Sequence, residues 1–223
     1  MRAWSGGTVP RTPLVFTIVI MSGPYTWSTL PEGDGVELRD TASRRSTVLR
    51  RPPPDLLEMD DIVRIEALAF REGDRPQAEL FGAMDTDPLR VLTGMNWLIA
   101  FWAVLWDLRG GEPADELIRS LDYNGPWRSG AIPEREQVWR TMSQRVRSGV
   151  LAALTGNPEA HRVYEDEVRR LAPDVFLHVT LTIMDTLSRD LVRRGLDLDG
   201  MAAGLAERTR PGHVGGPSFS PPR

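Results

Sequence analysis

Between Asp87 and Gly110 the chain is apolar in nearly every direction a helix could face, and this one stretch restricts the fold more than any other. Asp87 is placed to cap, Pro88 to occupy the first helical position, and Gly110-Gly111 to stop the helix. Its centre, Trp97-Leu98-Ile99-Ala100-Phe101-Trp102-Ala103-Val104-Leu105-Trp106, holds three of the 7 tryptophans. A helix that is hydrophobic all round has to be enclosed, by protein or by lipid. A membrane span takes about 20 predominantly apolar residues. The run here reads as shorter, contains Thr93 and Asn96, and is bracketed by Arg90 and Asp107. The expected fold is therefore mainly all-α: a helical bundle around a central apolar helix at 88–108. The alternative use of that helix is a partner-binding face made by Trp97, Phe101, Trp102 and Trp106, because uncovered aromatic surface commonly marks an interface.

The remaining segments sort around it. With 223 residues, 41% of them hydrophobic, the chain is long enough for one main domain and its tails. Residues 1–54 are rich in Gly, Pro, Ser and Thr and read as a flexible arm, with a small β-hairpin pairing Val36–Arg39 with Ser46–Leu49 across Asp40–Arg45. Residues 55–208 read as the helical domain. Within it, three- and four-residue apolar spacing predicts a helix from Asp55 to about residue 72 and a short one at 76–84. Further helices are predicted at 113–121, 133–154, 158–171, 174–194 and 198–208, with a subdomain break near 122–132. Val138, Met142, Val146, Val150 and Leu154 form the expected buried stripe of 133–154. Phe176, Val179, Ile183, Leu187 and Leu191 form that of 174–194. Residues 209–223 are expected to be a disordered tail.

Arg2 and Arg11 precede an apolar run from Leu14 to Met21 that has the outline of a signal peptide. Thr17 interrupts it and no small-residue cleavage site follows, so a cytoplasmic protein is expected. Met1 and Met21 both stand as candidate starts. There is no cysteine, which removes disulfides and thiolate metal sites. All 27 basic residues are arginine. High genomic GC content produces that bias, and escape from lysine-directed modification fits it equally.

Few residues could carry chemistry. Of the 3 histidines, His213 falls in the tail, His161 shares a helical face with Glu165 where a solvated charged surface explains both, and His178 sits between Leu177 and Val179 as a core or boundary histidine. His161 and Glu165 at i,i+4 have chelating spacing but too few companions for a metal site. The acids Glu58, Asp60, Asp61, Asp197 and Asp199 lie at helix starts, where the dipole favours negative charge. No phosphate-binding loop or nucleophile elbow is present. No catalytic residue, cofactor or metal is assigned. Formal net charge is −4, which disfavours a nucleic-acid partner. The one basic stretch, carrying Arg44, Arg45, Arg50 and Arg51, precedes ten acids in residues 55–87. It reads as an arm that is solvated or folds onto them, with contact to nucleic acid or to an acidic partner as the alternative.

From residue 33 to 123 the order of features resembles a known family. A short β-prone element with an arginine-rich turn is followed by Arg50-Arg51-Pro52-Pro53-Pro54-Asp55-Leu56-Leu57-Glu58. An apolar helix then ends Trp102-Ala103-Val104-Leu105-Trp106-Asp107-Leu108-Arg109 before a Gly-Glu-Pro segment with a glutamate three residues on. This resembles the tail assembly chaperones of phages from high-GC hosts. The resemblance implies a small, helical, non-enzymatic protein that binds the tape-measure protein while the tail tube is built. Two further readings stand beside it: a ligand-binding helical regulator with a pocket between helices 88–108 and 174–194, and an enzyme of unrecognised type. Oligomeric state is not legible in the sequence.

Overall fold

The computed structural model describes residues 17–18, 25–30, 35–50, 87–121, 133–171, 173–196 and 198. It is mainly helical, with five helices and a small antiparallel sheet among the described residues. The strands are β1 (Thr17–Ile18), β2 (Tyr25–Thr29), β3 (Gly35–Asp40) and β4 (Ser46–Arg50), joined in the order β1-β2-β3-β4 with every neighbour antiparallel. The helices are α1 (Pro88–Leu108), α2 (Ala114–Ser120), α3 (Pro133–Thr155), α4 (Pro158–Arg170) and α5 (Pro173–Arg193). The helices expected at 55–72, 76–84 and 198–208, the subdomain break at 122–132 and the tail at 209–223 lie outside the described residues, save for Leu198.

The local signals act as expected around α1. Asp87 Oδ1 accepts the Arg90 N–H at 3.1 Å and Pro88 opens the helix. At the other end Gly110 takes φ +91°, and the Gly110 and Gly111 amides return to the carbonyls of Asp107 and Trp106 at 2.9 and 3.0 Å. That double closure requires a left-handed residue, which glycine adopts without strain. Gly195 closes α5 in the same way, at φ +90°. Between α3 and α4, Gly156 turns the chain at φ +62°, and Asn157 Oδ1 receives the first two free amides of α4, from Glu159 and Ala160.

Every residue of α1 from Val91 to Leu105 is buried. Helices α2, α3, α4 and α5 and strands β3 and β4 all pack against it. By length and composition α1 could cross a membrane, being 21 residues long with mean hydropathy 1.4, so the reading that it is too short does not hold. Its enclosure, 89% of that apolar window, comes from the protein itself.

The hairpin sits where the sequence puts it. Val36 opposes Leu49 and Leu38 opposes Thr47, so the alternation sends Val36, Leu38 and Leu49 inward and Arg39, Ser46, Val48 and Arg50 outward. One expectation needs correction nearby. Residues 1–54 are not merely a flexible arm, because β1 and β2 extend the hairpin into a four-stranded sheet. The run Tyr-Thr-Trp-Ser-Thr carries strand propensity that the flanking glycines and prolines obscured.

In α3 the stripe is buried at Met142, Val146 and Val150 but not at its ends: Leu154 is half-buried, and Val138 is 55% exposed. Four-residue steps advance about 40° per step around a 3.6-residue helix, so five positions at constant spacing spread over about 160° and the two ends leave the core face. The stripe of α5 starts with a three-residue step, and all five of its members are buried.

Trp102 is fully buried at the middle of α1. Trp102→Ala should cost about 3–5 kcal/mol, and Trp102→Glu should leave the chain unfolded, both measured by urea denaturation followed by far-UV circular dichroism.

Candidate functional site

The aromatic side chains of α1 do not form an outward face. Trp97 and Phe101 stack with ring centres 5.4 Å apart, and both are buried. The Trp97 indole N–H donates to the Arg50 carbonyl at 3.3 Å, which fastens the end of β4 to the helix. Trp102 is enclosed. Only Trp106 is half-buried, and its indole N–H is given to Glu112. Of the expected binding face, Trp97, Phe101 and Trp102 are thus core in the monomer, and Trp106 packs half-buried against it.

Among the basic residues Arg45 is anchored to α1. Arg44 is the left-handed residue of the hairpin turn, at φ +58°. Arg45 donates to the Asp107 carbonyl at 2.8 Å and approaches Asp107 Oδ1 at 3.3 Å, while the Ser43 hydroxyl reaches the Leu108 carbonyl at 3.4 Å. A cation at the carbonyl end of a helix complements its dipole. Arg50 lies in β4, and Arg51 is outside the described residues.

A clamp ties the C-terminal ends of α1 and α5 together. Arg194 bonds Glu112 at 2.8 and 3.0 Å and Asp190 at 2.7 Å, and its guanidinium lies 5.4 Å from the Trp106 ring centre. Arg109 donates to the Gly195 carbonyl. Asp107 Oδ2 accepts the Ala114 N–H at 3.2 Å and so also fixes the start of α2. The Trp106 N–H first, then the Arg194 guanidinium, hold the Glu112 carboxyl down at about 2. A depressed carboxyl stabilises the fold above its ordinary value of 4.5, and that contribution is lost as pH falls toward about 2. Each group in the clamp already has its partner, and the arrangement is a structural fastening.

The second polar constellation lies inside the bundle, where α4 meets α1 and α3. Asn96 and Tyr164 are both buried and near enough that the Asn96 side chain counters part of the rise burial imposes on the Tyr164 phenol, although no hydrogen bond of good geometry joins them. Gly149 of α3 permits their approach: a Cβ there would stand 2.5 Å from Asn96 Nδ2 and 2.7 Å from the Tyr164 ring. Burial pushes the Tyr164 phenol well above its usual range. Phe176 of α5 meets the Tyr164 ring edge-on at 5.8 Å.

His161 is 4% exposed, which corrects the expectation of a solvated face. Only Tyr164 and Val168 supply apolar bulk on the inward side of α4, so His161 completes that stripe, while Val163 faces solvent. Its Nε2 and one oxygen of Glu165 are buried without a hydrogen-bond partner among the described residues. His178, expected in the core or at its boundary, is exposed, with its ring edge-on to Trp139 at 5.4 Å. Glu58, Asp60, Asp61, Asp197, Asp199 and His213 lie outside the described residues. Among the described residues no three metal-ligating side chains come together.

The buried polar group was missed because its members are dispersed over helices that sequence spacing cannot bring together. The legible signal was Asn96 itself, an amide in an otherwise apolar helix. Comparison with family models, with curated proteins and with solved structures returned no match.

Gly149→Val should destabilise the fold by about 1–3 kcal/mol through overpacking. The pair Asn96→Leu with Tyr164→Phe should be near neutral, since both sides of an unsatisfied contact then become apolar. Chemical denaturation of the three proteins separates these outcomes.

Proposed function

We propose that this chain is a non-enzymatic protein-binding protein of the assembly or adaptor kind, with a role like that of a phage tail assembly chaperone as its most specific form. The observation that carries the reading is the outer face of the β3–β4 hairpin. There Val48, 45% exposed, stands among Arg39, Ser46 and Arg50, and the hairpin is held in one orientation by the Arg45 and Trp97 bonds to α1 and β4. A rigid face that joins an exposed apolar residue to arginines suits an acidic, partly apolar partner segment, because arginine and apolar contacts dominate interface energies. The Arg39–Glu37 pair on it, 3.3 Å apart, is a surface pair that a partner carboxylate can replace at little cost. Residues 33–123, over which the chain resembles the tail chaperones, contain this hairpin together with α1 and α2.

A second reading, a ligand-binding helical regulator, draws on the buried Asn96, His161 and Tyr164, whose polar atoms a small polar molecule would satisfy if the helices parted to admit it. Thermal-shift screening against metabolites supports it only if a compound raises the melting temperature and Asn96→Leu abolishes that rise.

The protein-binding reading is tested by co-purification from the native host with Arg39→Glu/Val48→Asp as the variant and Val163→Asp, on the far-exposed side of α4, as the control. A specific partner retained by the control and lost by the hairpin variant, with helicity unchanged in both, is the expected result. A partner bound equally by both, or none at native abundance, overturns it.

A further inference from the structure

The four helices that enclose α1 are not equally secured. Helix α4 contributes three buried side chains, His161, Tyr164 and Val168, and its exposed face is charged, with Glu159 pairing Arg162 and Asp166 pairing Arg170. Two of those three buried side chains bring polar atoms that make no hydrogen bond of good geometry among the described residues, as does Glu165 on the next turn, and Asn96 opposite them on α1 compensates Tyr164 only in part. A buried polar atom left unbonded opposes burial, whereas water satisfies it on exposure. Of the four helices α4 carries the most unsatisfied buried polar atoms, and of its three buried side chains only Val168 is wholly apolar. Local opening is expected where buried apolar contacts are few.

His161 gives this separation a trigger. It occupies the first turn of α4, after the Asn157 cap, where the positive end of the helix dipole disfavours an added positive charge. The groups around it offer little compensation. Helix α1 has charges only at Arg90 and Asp107, near its ends. The stretch of α3 leading to the turn, Ser148–Thr155, has none, because Arg145 is engaged with Glu167 at 3.7 Å and Arg147 with the carbonyls of Arg119 and Leu121. Arg50 of β4 lies with its stem against Gly156, in the turn that precedes α4. Helix α5 approaches through Phe176, and its first acid in sequence is Asp174. On α4 itself Glu159 pairs outward with Arg162 and Glu167 is engaged by Arg145, which leaves Glu165 as the inward carboxylate nearest in sequence among the described residues.

We infer that α4 is a detachable helix that leaves the bundle as a unit when His161 takes a proton, uncovering Asn96 and Gly149. The direction follows from burial, which lowers the imidazole below its ordinary value of 6.5. Because the released form binds the proton more readily, the closed form is favoured above that value and loses ground as pH falls below it.

Hydrogen exchange of the full chain, expressed as protection factors at pH 7.5 and 5.5, tests both parts. Helix α4 amides should be less protected than those of α1, α3 and α5 at either pH. Between the two pH values they should lose up to about ten-fold more protection, the limit for one histidine whose folded value lies well below the range. His161→Phe, or His161→Gln if the first does not fold, should remove that extra loss, while His178→Gln should keep it. Protection in α4 equal to that of α3 and α5 at both pH values overturns the detachment. A pH response below about two-fold, or one that survives in the His161 variant, overturns the trigger.

Discussion

A helix without a polar side sets the terms for everything around it. From Val91 to Leu105 no position of α1 is left to water, so the rest of the chain must supply apolar surface over the full circumference of one cylinder. No single partner helix can do that, since each covers only its own stripe. Helices α3 and α5 give their long stripes, α2 and α4 add short ones, and the hairpin contributes Val36, Leu38 and Leu49. The hairpin is therefore one wall of the core as well as a surface feature. This explains why its turn arginine and the carbonyl of its last residue are both bonded to α1.

Enclosing one helix on all sides also means enclosing its occasional polar residue. Asn96 is surrounded because its neighbours in sequence have to be. The fold meets this at close quarters, with Gly149 letting α3 approach and Tyr164 presenting a hydroxyl nearby, yet the atoms do not pair well. By contrast the polar groups at the C-terminal ends of α1 and α5 are matched completely, by Arg194, Glu112, Asp190 and Trp106. The molecule is thus fastened firmly at one end of α1 and loosely where α4 crosses it.

How much of this was legible in the sequence depends on how local the cause is. Caps and stops, Asp87 with Pro88, Asn157 with Pro158, and the glycines at 110 and 195, act within a turn of chain and could be read directly. So could the hairpin register, which follows from alternation. The strands at Thr17–Ile18 and Tyr25–Thr29 could not, because their pairing partners lie outside their own segments and glycine and proline dilute their signal. The same limit hid the enclosure of His161, which a charged helix places inward for want of other bulk on that side. It also left open whether the tryptophans of α1 were core or interface, a question of coverage by helices that come much later in the chain.

That order of the chain has a consequence for how the protein is made. During synthesis α1 emerges complete at Leu108, whereas α5 begins only at Pro173 and ends at Arg193. At ordinary elongation speeds the interval is on the order of ten seconds. When it begins, a nascent helix with the length and hydropathy of a membrane span has, among the described elements, only the sheet to lie against, and α2, α3 and α4 reach it in turn as they emerge. The Arg45 and Trp97 bonds join parts of the chain already made by then, so they let the sheet shelter one side of the tryptophan-rich helix before any later helix exists.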